Sequence, residues 1–426
     1  MFFSLLPHTV FQVFFSFFAT FLLTAPVSAE DPATTQVGST TAPELLVIDQ
    51  KVLEFMARWN IPGATVALAK DDKLLYARGF GKADEDQLMQ ADHLFRIASL
   101  SKPITAMAIM KLNQDNGLDL EQKVFGPEGI LNSELYADLR DPRMQEITIK
   151  HLLEHTAGWD RHISPEGDPM FNPVKIAEAM QVPAPADAVS VIRYVLQQPL
   201  DFAPGSRVAY SNIGYNILGR VIEQITELPY ETYVQQAILQ PLGITGMVLG
   251  RNLYENKSER EVKYFDLKAR QVKTVSGENK KVPFPYGGFN LEAMDAHGGW
   301  IASAPDLIKL LMGLDPTGEN ALLSRETIAR MTTPSNPDYG YAKGWFVNKK
   351  GNWWHSGALI GSSTLMAHLQ DGMKWVLLMN ARPEHPDFYK ELDRLMWNAT
   401  ADVETWPEIN LLEPAITLQE DQREHI

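Results

Sequence analysis

The chain has 426 residues, 45% of them hydrophobic, enough to bury a large core. Its 38 basic and 53 acidic side chains leave a net charge of −15, which argues against nucleic acid as a partner. With no cysteine, it has no disulfide framework and no cysteine for a lipid anchor.

In chain order, the first feature is an apolar stretch from Phe11 to Leu23, rich in phenylalanine, with Val27-Ser28-Ala29 as a small-residue cleavage pattern. An export leader over residues 1–29 is expected, placing the protein in the periplasm or outside the cell. No Lys or Arg precedes Lys51, so an uncleaved membrane tether over residues 10–28 is the alternative. Residues 30–43 are small and polar with two prolines and read as a linker. One folded domain is expected over 44–426.

Glu44 to Trp59 has helical spacing, and Ala64–Ala69 and Leu74–Gly79 flank Asp71-Asp72 as a hairpin. Phe95-Arg96-Ile97-Ala98 is extended in character and leads into Ser99-Leu100-Ser101-Lys102. Pro103 suits a first helical turn, Ile104 to Leu112 is apolar, and Asn116-Gly117 is a stop signal. The spacing predicts a buried helix with Ser99 at its start and Lys102 one turn away on the same face. A serine hydroxyl needs a base before it can attack, and a buried lysine loses part of its preference for the charged form. Ser99 is therefore the candidate nucleophile and Lys102 its base.

His151-x-x-Glu154-His155 places two histidines four apart around a glutamate, with His162 nearby. On a helix the two imidazoles would share a face, so a zinc site is the rival chemistry, although Gly158 sets a helix end just beyond His155. Tyr210-Ser211-Asn212 follows a turn-rich stretch and precedes a helical run, Ile213 to Ile225. Tyr210 can relay a proton if a cation such as Lys102 lowers its pKa, and Asn212 can both donate to and accept from a substrate amide. A packing tyrosine and a capping asparagine are the plainer alternative. The basic run from Arg251 to Lys281 reads as a solvated loop or hairpin.

His355-Ser356-Gly357 lies in a strand expected from Asn352 to Ile360. His355 would help manage charge at the site or would be a satisfied sheet histidine, and Gly357 suggests close approach of a ligand backbone. Ser363–Leu369 and Lys374–Met379 flank Gln370-Asp371-Gly372 as a second hairpin, and a C-terminal helix is expected from Asp387 to Thr400. The whole reads as α+β: an antiparallel sheet from both chain ends, flanked by helices, with a mainly helical lobe inserted over about 100–285. No G-x-S-x-G, P-loop or dinucleotide fingerprint occurs.

Ser99-x-x-Lys102, Tyr210-x-Asn212 and His355-x-Gly357, in that order, resemble the serine β-lactamase and penicillin-binding-protein superfamily, in its class C-like branch. His151 to Trp159, Pro204 to Gly219 and His297 to Ser303 are similar to further segments of that family, so the likeness runs from about Pro43 to Asn398. The resemblance implies that Ser99 is acylated, that Lys102 and Tyr210 share proton transfer and that Asn212 contacts the substrate amide. It also implies an oxyanion hole built from the backbone N–H groups of Ser99 and Ala358. His355 departs from the lysine of dedicated β-lactamases and looks more like D-aminopeptidases and related hydrolases. The expected function is an exported serine hydrolase acting through an acyl-enzyme on D-amino-acid peptides, small amides or esters, or β-lactam-like compounds. It needs no metal or cofactor and has a small molecule or peptide as partner. A penicillin-binding or sensing module with little turnover is the alternative.

Overall fold

The computed structural model describes residues 42–412 except 316, 317, 319 and 320. The expected leader and most of the expected linker lie outside these described residues.

The first helix, α1 (Leu46–Trp59), is followed by the hairpin β1 (Gly63–Lys70) and β2 (Lys73–Gly81). A short strand β3 (Phe95–Arg96) leads through a 3-10 turn, Ala98–Leu100, into α2 (Ser101–Asn116). Then come α3 (Ile149–Leu153), α4 (Pro173–Met180), α5 (Ala188–Leu196), α6 (Asn212–Thr226) and α7 (Tyr230–Val234). Strand β4 (Val248–Leu249) and the hairpin β5 (Gln271–Lys273) and β6 (Lys281–Pro283) precede α8 (Asp295–Gly298), β7 (Trp300–Ala302), α9 (Ala304–Met312) and α10 (Arg325–Thr332). The chain then forms β8 (Phe346–Val347), β9 (Trp353–Leu359), β10 (Ser362–His368), β11 (Met373–Met379) and α11 (Phe388–Ala401).

The main sheet has the order β2-β1-β11-β10-β9-β8 and is antiparallel throughout. Both chain ends therefore contribute to it, joined where Ala64 faces Met379 and Val66 faces Leu377. Its central strands are buried on both faces. In β11, Trp375 and Leu377 pack toward α1 and α11, while Val376 and Leu378 join the core on the opposite side with α2 and α9. Alternate residues of a strand point to opposite faces, so a sheet covered by helices on both sides needs unbroken apolar strands. That is why Trp375–Met379 reads as a continuous hydrophobic run. Phe55 of α1 meets Phe388 of α11 with ring centroids 5.8 Å apart, closing the outer layer.

A second sheet of order β3-β7-β4 was not legible in the sequence. Its strands are two or three residues long, too short for a period to register. It sets the site all the same: Arg96 pairs with Ile301, and Ile97 N–H donates to Trp300 O at 3.0 Å. The basic run folds partly as the β5–β6 hairpin, as expected. Among the described residues, no helix is long and apolar enough to cross a membrane.

Candidate active site

The segment carrying Ser99 is buried on all sides but one: from His93 to Met110 every residue is buried except Ser99. Ala98, just before it, holds φ at +50°, a left-handed conformation that a residue with a Cβ adopts at a cost of roughly 1 kcal/mol. The turn is held from behind. Ser362 Oγ donates to Arg96 O at 2.6 Å and Thr364 Oγ1 donates to Ile97 O at 2.9 Å.

Lys102 is fully buried beneath Ser99. Its Nζ lies 3.1 Å from Ser99 Oγ, 2.6 Å from Asn212 Oδ1 and 2.9 Å from His297 O. Burial pulls its pKa well below the ordinary lysine value; the charge of Asp168 opposes that pull and Arg161 adds to it. A neutral amine has two N–H donors and one lone pair. Asn212 Oδ1 and His297 O can only accept, so they take the two hydrogens, and the lone pair is left for the Ser99 hydroxyl.

Tyr210 sits in the loop before α6, which Ser211 caps through a bond from Gly214 N–H to its Oγ. Its ring centroid is 4.9 Å from Lys102 Nζ and 5.1 Å from the Arg161 guanidinium carbon, and it lines the same cleft as Ser99. Burial raises the phenol above its ordinary pKa, with Ser99 and Arg161 only partly offsetting that rise. The expected lowering by Lys102 does not occur. Tyr210 keeps its proton and is suited to giving one up late, when a leaving group demands it.

Asn212 does not cap the helix, and neither does it offer its whole amide to the cleft. Its Oδ1 is held by Lys102, and its Nδ2 donates to Asp168 Oδ2 at 2.6 Å. Of the two expectations for His355, the surroundings are those of a satisfied sheet histidine. It is buried, Nδ1–H donates to Ser356 O at 2.7 Å, and Tyr341 donates to Nε2 at 3.2 Å. Burial, with the nearby Lys102 adding to it, pushes its pKa down to about 3, so it is neutral rather than partly cationic. The cations lining the cleft are Arg161 and Arg382. Gly357 meets the protein's own chain: a Cβ there would lie 2.4 Å from Ile97 O and 2.2 Å from Thr364 Oγ1. On its Cβ side the glycine lies against the turn that carries Ser99, and it also lines the cleft.

Ser99, Tyr210, Asn212, His355, Gly357 and Ala358 all line one cleft of about 560 Å³. The residues singled out for zinc do not come together on a helix. Helix α3 ends at Leu153, and His155 takes φ +59° beyond it. His151 Nδ1 accepts from Thr148 N–H, His155 Nδ1 accepts from Ser211 N–H, and Glu154 is ion-paired with Lys343 at 2.6 Å. His155 instead packs against the rings of Tyr210 and Tyr341, each centroid 4.4 Å away. Asp168, Arg161 and Tyr341 belong to the site and were missed. Gly167-Asp168-Pro169 is a turn signal, but nothing local distinguishes it from other turns.

Residues 48–396 match the family model described as Beta-lactamase. Protein flp of Staphylococcus aureus (strain MRSA252) is 26% identical over 348 residues, 79% of this chain. The chain spans 63% of the length of that relative. Esterase EstB of Burkholderia gladioli is 30% identical over 252 residues, covering 58% of this chain and 59% of EstB. Among solved structures, the octameric penicillin-binding protein homologue from Pyrococcus abyssi superposes with a TM-score of 0.61 at 25% identity, covering 82% of this chain and 77% of its own. D-amino acid amidase from Ochrobactrum anthropi SV3, complexed with D-phenylalanine, gives 0.65 at 20% identity, with 85% and 100% covered, a likeness of fold.

Proposed function

We propose, for a chain that belongs to the beta-lactamase family, that it is a serine hydrolase cleaving amide or ester bonds through an acyl-enzyme on Ser99. The observation that carries this reading is the seating of Lys102: two obligate acceptors, Asn212 Oδ1 and His297 O, hold one buried amine, with the Ser99 hydroxyl facing the position its lone pair must occupy.

Ser99 Oγ attacks the substrate carbonyl carbon as its proton passes to Lys102. The negative charge on the carbonyl oxygen is met by the backbone N–H groups of Ser99 and Ala358, both at the cleft wall. The bond to the amine or alcohol breaks, and Tyr210 supplies its proton, to be reprotonated from Lys102. Water then attacks the ester, its proton going to the same lysine, and Ser99 is released. Asn212 serves by orienting Lys102 rather than by receiving the substrate with its whole amide.

The relatives named above include an esterase and a D-amino acid amidase, which supports small amides and esters, D-amino-acid derivatives among them, as the substrate class. A neutral His355 argues for Arg161 and Arg382 as the groups that would meet a substrate carboxylate. The apolar segment before Ala29 supports export, with a membrane tether as the alternative. The test is labelling by a fluorophosphonate, read by intact mass, together with turnover of D-amino-acid amides and short-chain esters. Wild type should take up one adduct and turn over at least one substrate, and Ser99→Ala should do neither. Labelling or turnover retained in Ser99→Ala would overturn the proposal, and a stable adduct without product would favour a module that acylates and barely turns over.

A further inference from the structure

Asp168 lies outside the three motifs, yet it is one side chain away from Lys102. Its Oδ2 accepts from Asn212 Nδ2 at 2.6 Å, its Oδ1 accepts from Met170 N–H at 3.1 Å, and Arg161 stands 4.0 Å away. Its side chain is 11% exposed. On the far side of the same amide, Asn212 Oδ1 is 2.6 Å from Lys102 Nζ. The amide of Asn212 has two chemically different ends, and its neighbours dictate which faces which. Burial raises the Asp168 carboxyl, and Met170 N–H, Asn212, Arg161 and Lys102 pull it back toward the charged form. Lys102 presents hydrogens and the Asp168 carboxylate presents only acceptors, so a flipped amide would set donor against donor and oxygen against oxygen.

We propose that Asp168 is a positioning residue of the acyl-transfer site: it locks Asn212 with Oδ1 toward Lys102, and its negative charge sets how tightly Lys102 holds its proton. The inference rests on Ser99 and Lys102 being nucleophile and base. Locking matters because an Asn212 free to flip would turn Nδ2 toward Lys102 and compete for the lone pair that Ser99 needs. Charge matters because Asp168 is the acid acting on Lys102. The other groups around the amine are cationic, neutral or aromatic. Arg161 opposes its charge, and His155, His297 and His355 are each held neutral by burial with Lys102 adding to the effect. The Tyr210 and Tyr215 rings lie 4.9 and 5.8 Å from Nζ.

The sign follows directly. Lys102 acts as a base only when neutral, so acylation rises with pH as the amine loses its proton. Removing the Asp168 charge makes that proton easier to lose, and the acid limb moves to lower pH. Asp168→Asn keeps an acceptor for Asn212 and removes the charge; Asp168→Glu keeps the charge and displaces it. The measurement is the second-order rate of fluorophosphonate labelling at Ser99 against pH for wild type and both variants. The acid limb of Asp168→Asn should lie lower by roughly one pH unit, while that of Asp168→Glu stays near wild type with a reduced plateau. An unmoved limb in Asp168→Asn, or a limb in Asp168→Glu that follows Asp168→Asn, would leave Asp168 as packing alone and overturn the inference. If Asp168→Asn does not fold, Asp168→Ser, which also removes the charge and keeps an acceptor for Asn212, is read in its place, and an unmoved limb there overturns the inference in the same way. Wild type that takes no label at any pH would instead remove the nucleophile assignment, and the inference with it.

Discussion

Lys102 is an amine with no exposed surface, three oxygen partners within 3.1 Å and a pKa drawn well below its ordinary value by burial. A base role depends on giving up and regaining one proton, and arginine cannot do that in a protein. Lys102→Arg should therefore slow labelling of Ser99 by about 10²- to 10⁴-fold, the usual weight of general-base catalysis. A labelling rate within about tenfold of wild type, well short of that range, would take the base role away from Lys102. In wild type the acid limb of the pH–rate profile should begin far below the range where a free lysine titrates. The pair Ser99–Lys102 was legible because it is local: three residues apart at a helix start, they can hardly fail to meet. His355 was legible as a site residue but not in its charge. That depends on desolvation and on Tyr341, Ser356 and Lys102, which a strand pattern cannot reveal.

Between elements, the decisive contact is β9 and β10 against the turn that carries Ser99. Thr364 and Ser362 anchor the carbonyls of Ile97 and Arg96, and Gly357 leaves room for that turn to lie flat on the sheet. The two nearest neighbours of an added Cβ at Gly357 are part of that anchorage, the Ile97 carbonyl and Thr364 Oγ1, so neither can yield without moving the turn that carries Ser99. Gly357→Ala should destabilise the protein by about 1–3 kcal/mol, the range for overpacking, and should cut labelling of Ser99 by more than the loss of folded protein explains. Thermal melts and labelling on the same samples separate the two effects; full labelling of a well-folded variant would show that the turn tolerates the shift. The sequence marked Gly357 as a place of close approach and gave no sign that the Ile97 carbonyl lies against its Cβ side. Which chain arrives at a glycine some 250 positions away is a matter of topology.

For the molecule as a whole, several imidazoles are buried in neutral form. His155 and His297 are held well below their ordinary pKa by burial, as is His355, at about 3. The unfolded chain binds a proton at such a site near pH 6.5, whereas the folded chain does so only much lower. Stability from these groups is thus complete above about pH 6.5 and is lost as pH falls toward the folded values, by on the order of a few kcal/mol per group. The unfolding midpoint in denaturant should fall from pH 7 to pH 4, and His355→Asn, which keeps a donor for Ser356 O, should show a shallower fall. Equal slopes would mean that His355 is not a buried neutral group. The sequence by itself determined the longer secondary elements, the assembly of the main sheet from both ends and the meeting of Ser99 with Lys102, because hydrophobic period, turn residues and helical spacing act over a few residues. Only the tertiary structure decided that Tyr210 and His355 are neutral, that Asn212 is turned toward Lys102 and hydrogen-bonded to Asp168, and that Gly357 makes room for the turn that carries Ser99. Desolvation and hydrogen-bond geometry at those residues come from segments far apart in the chain, and no local pattern encodes them.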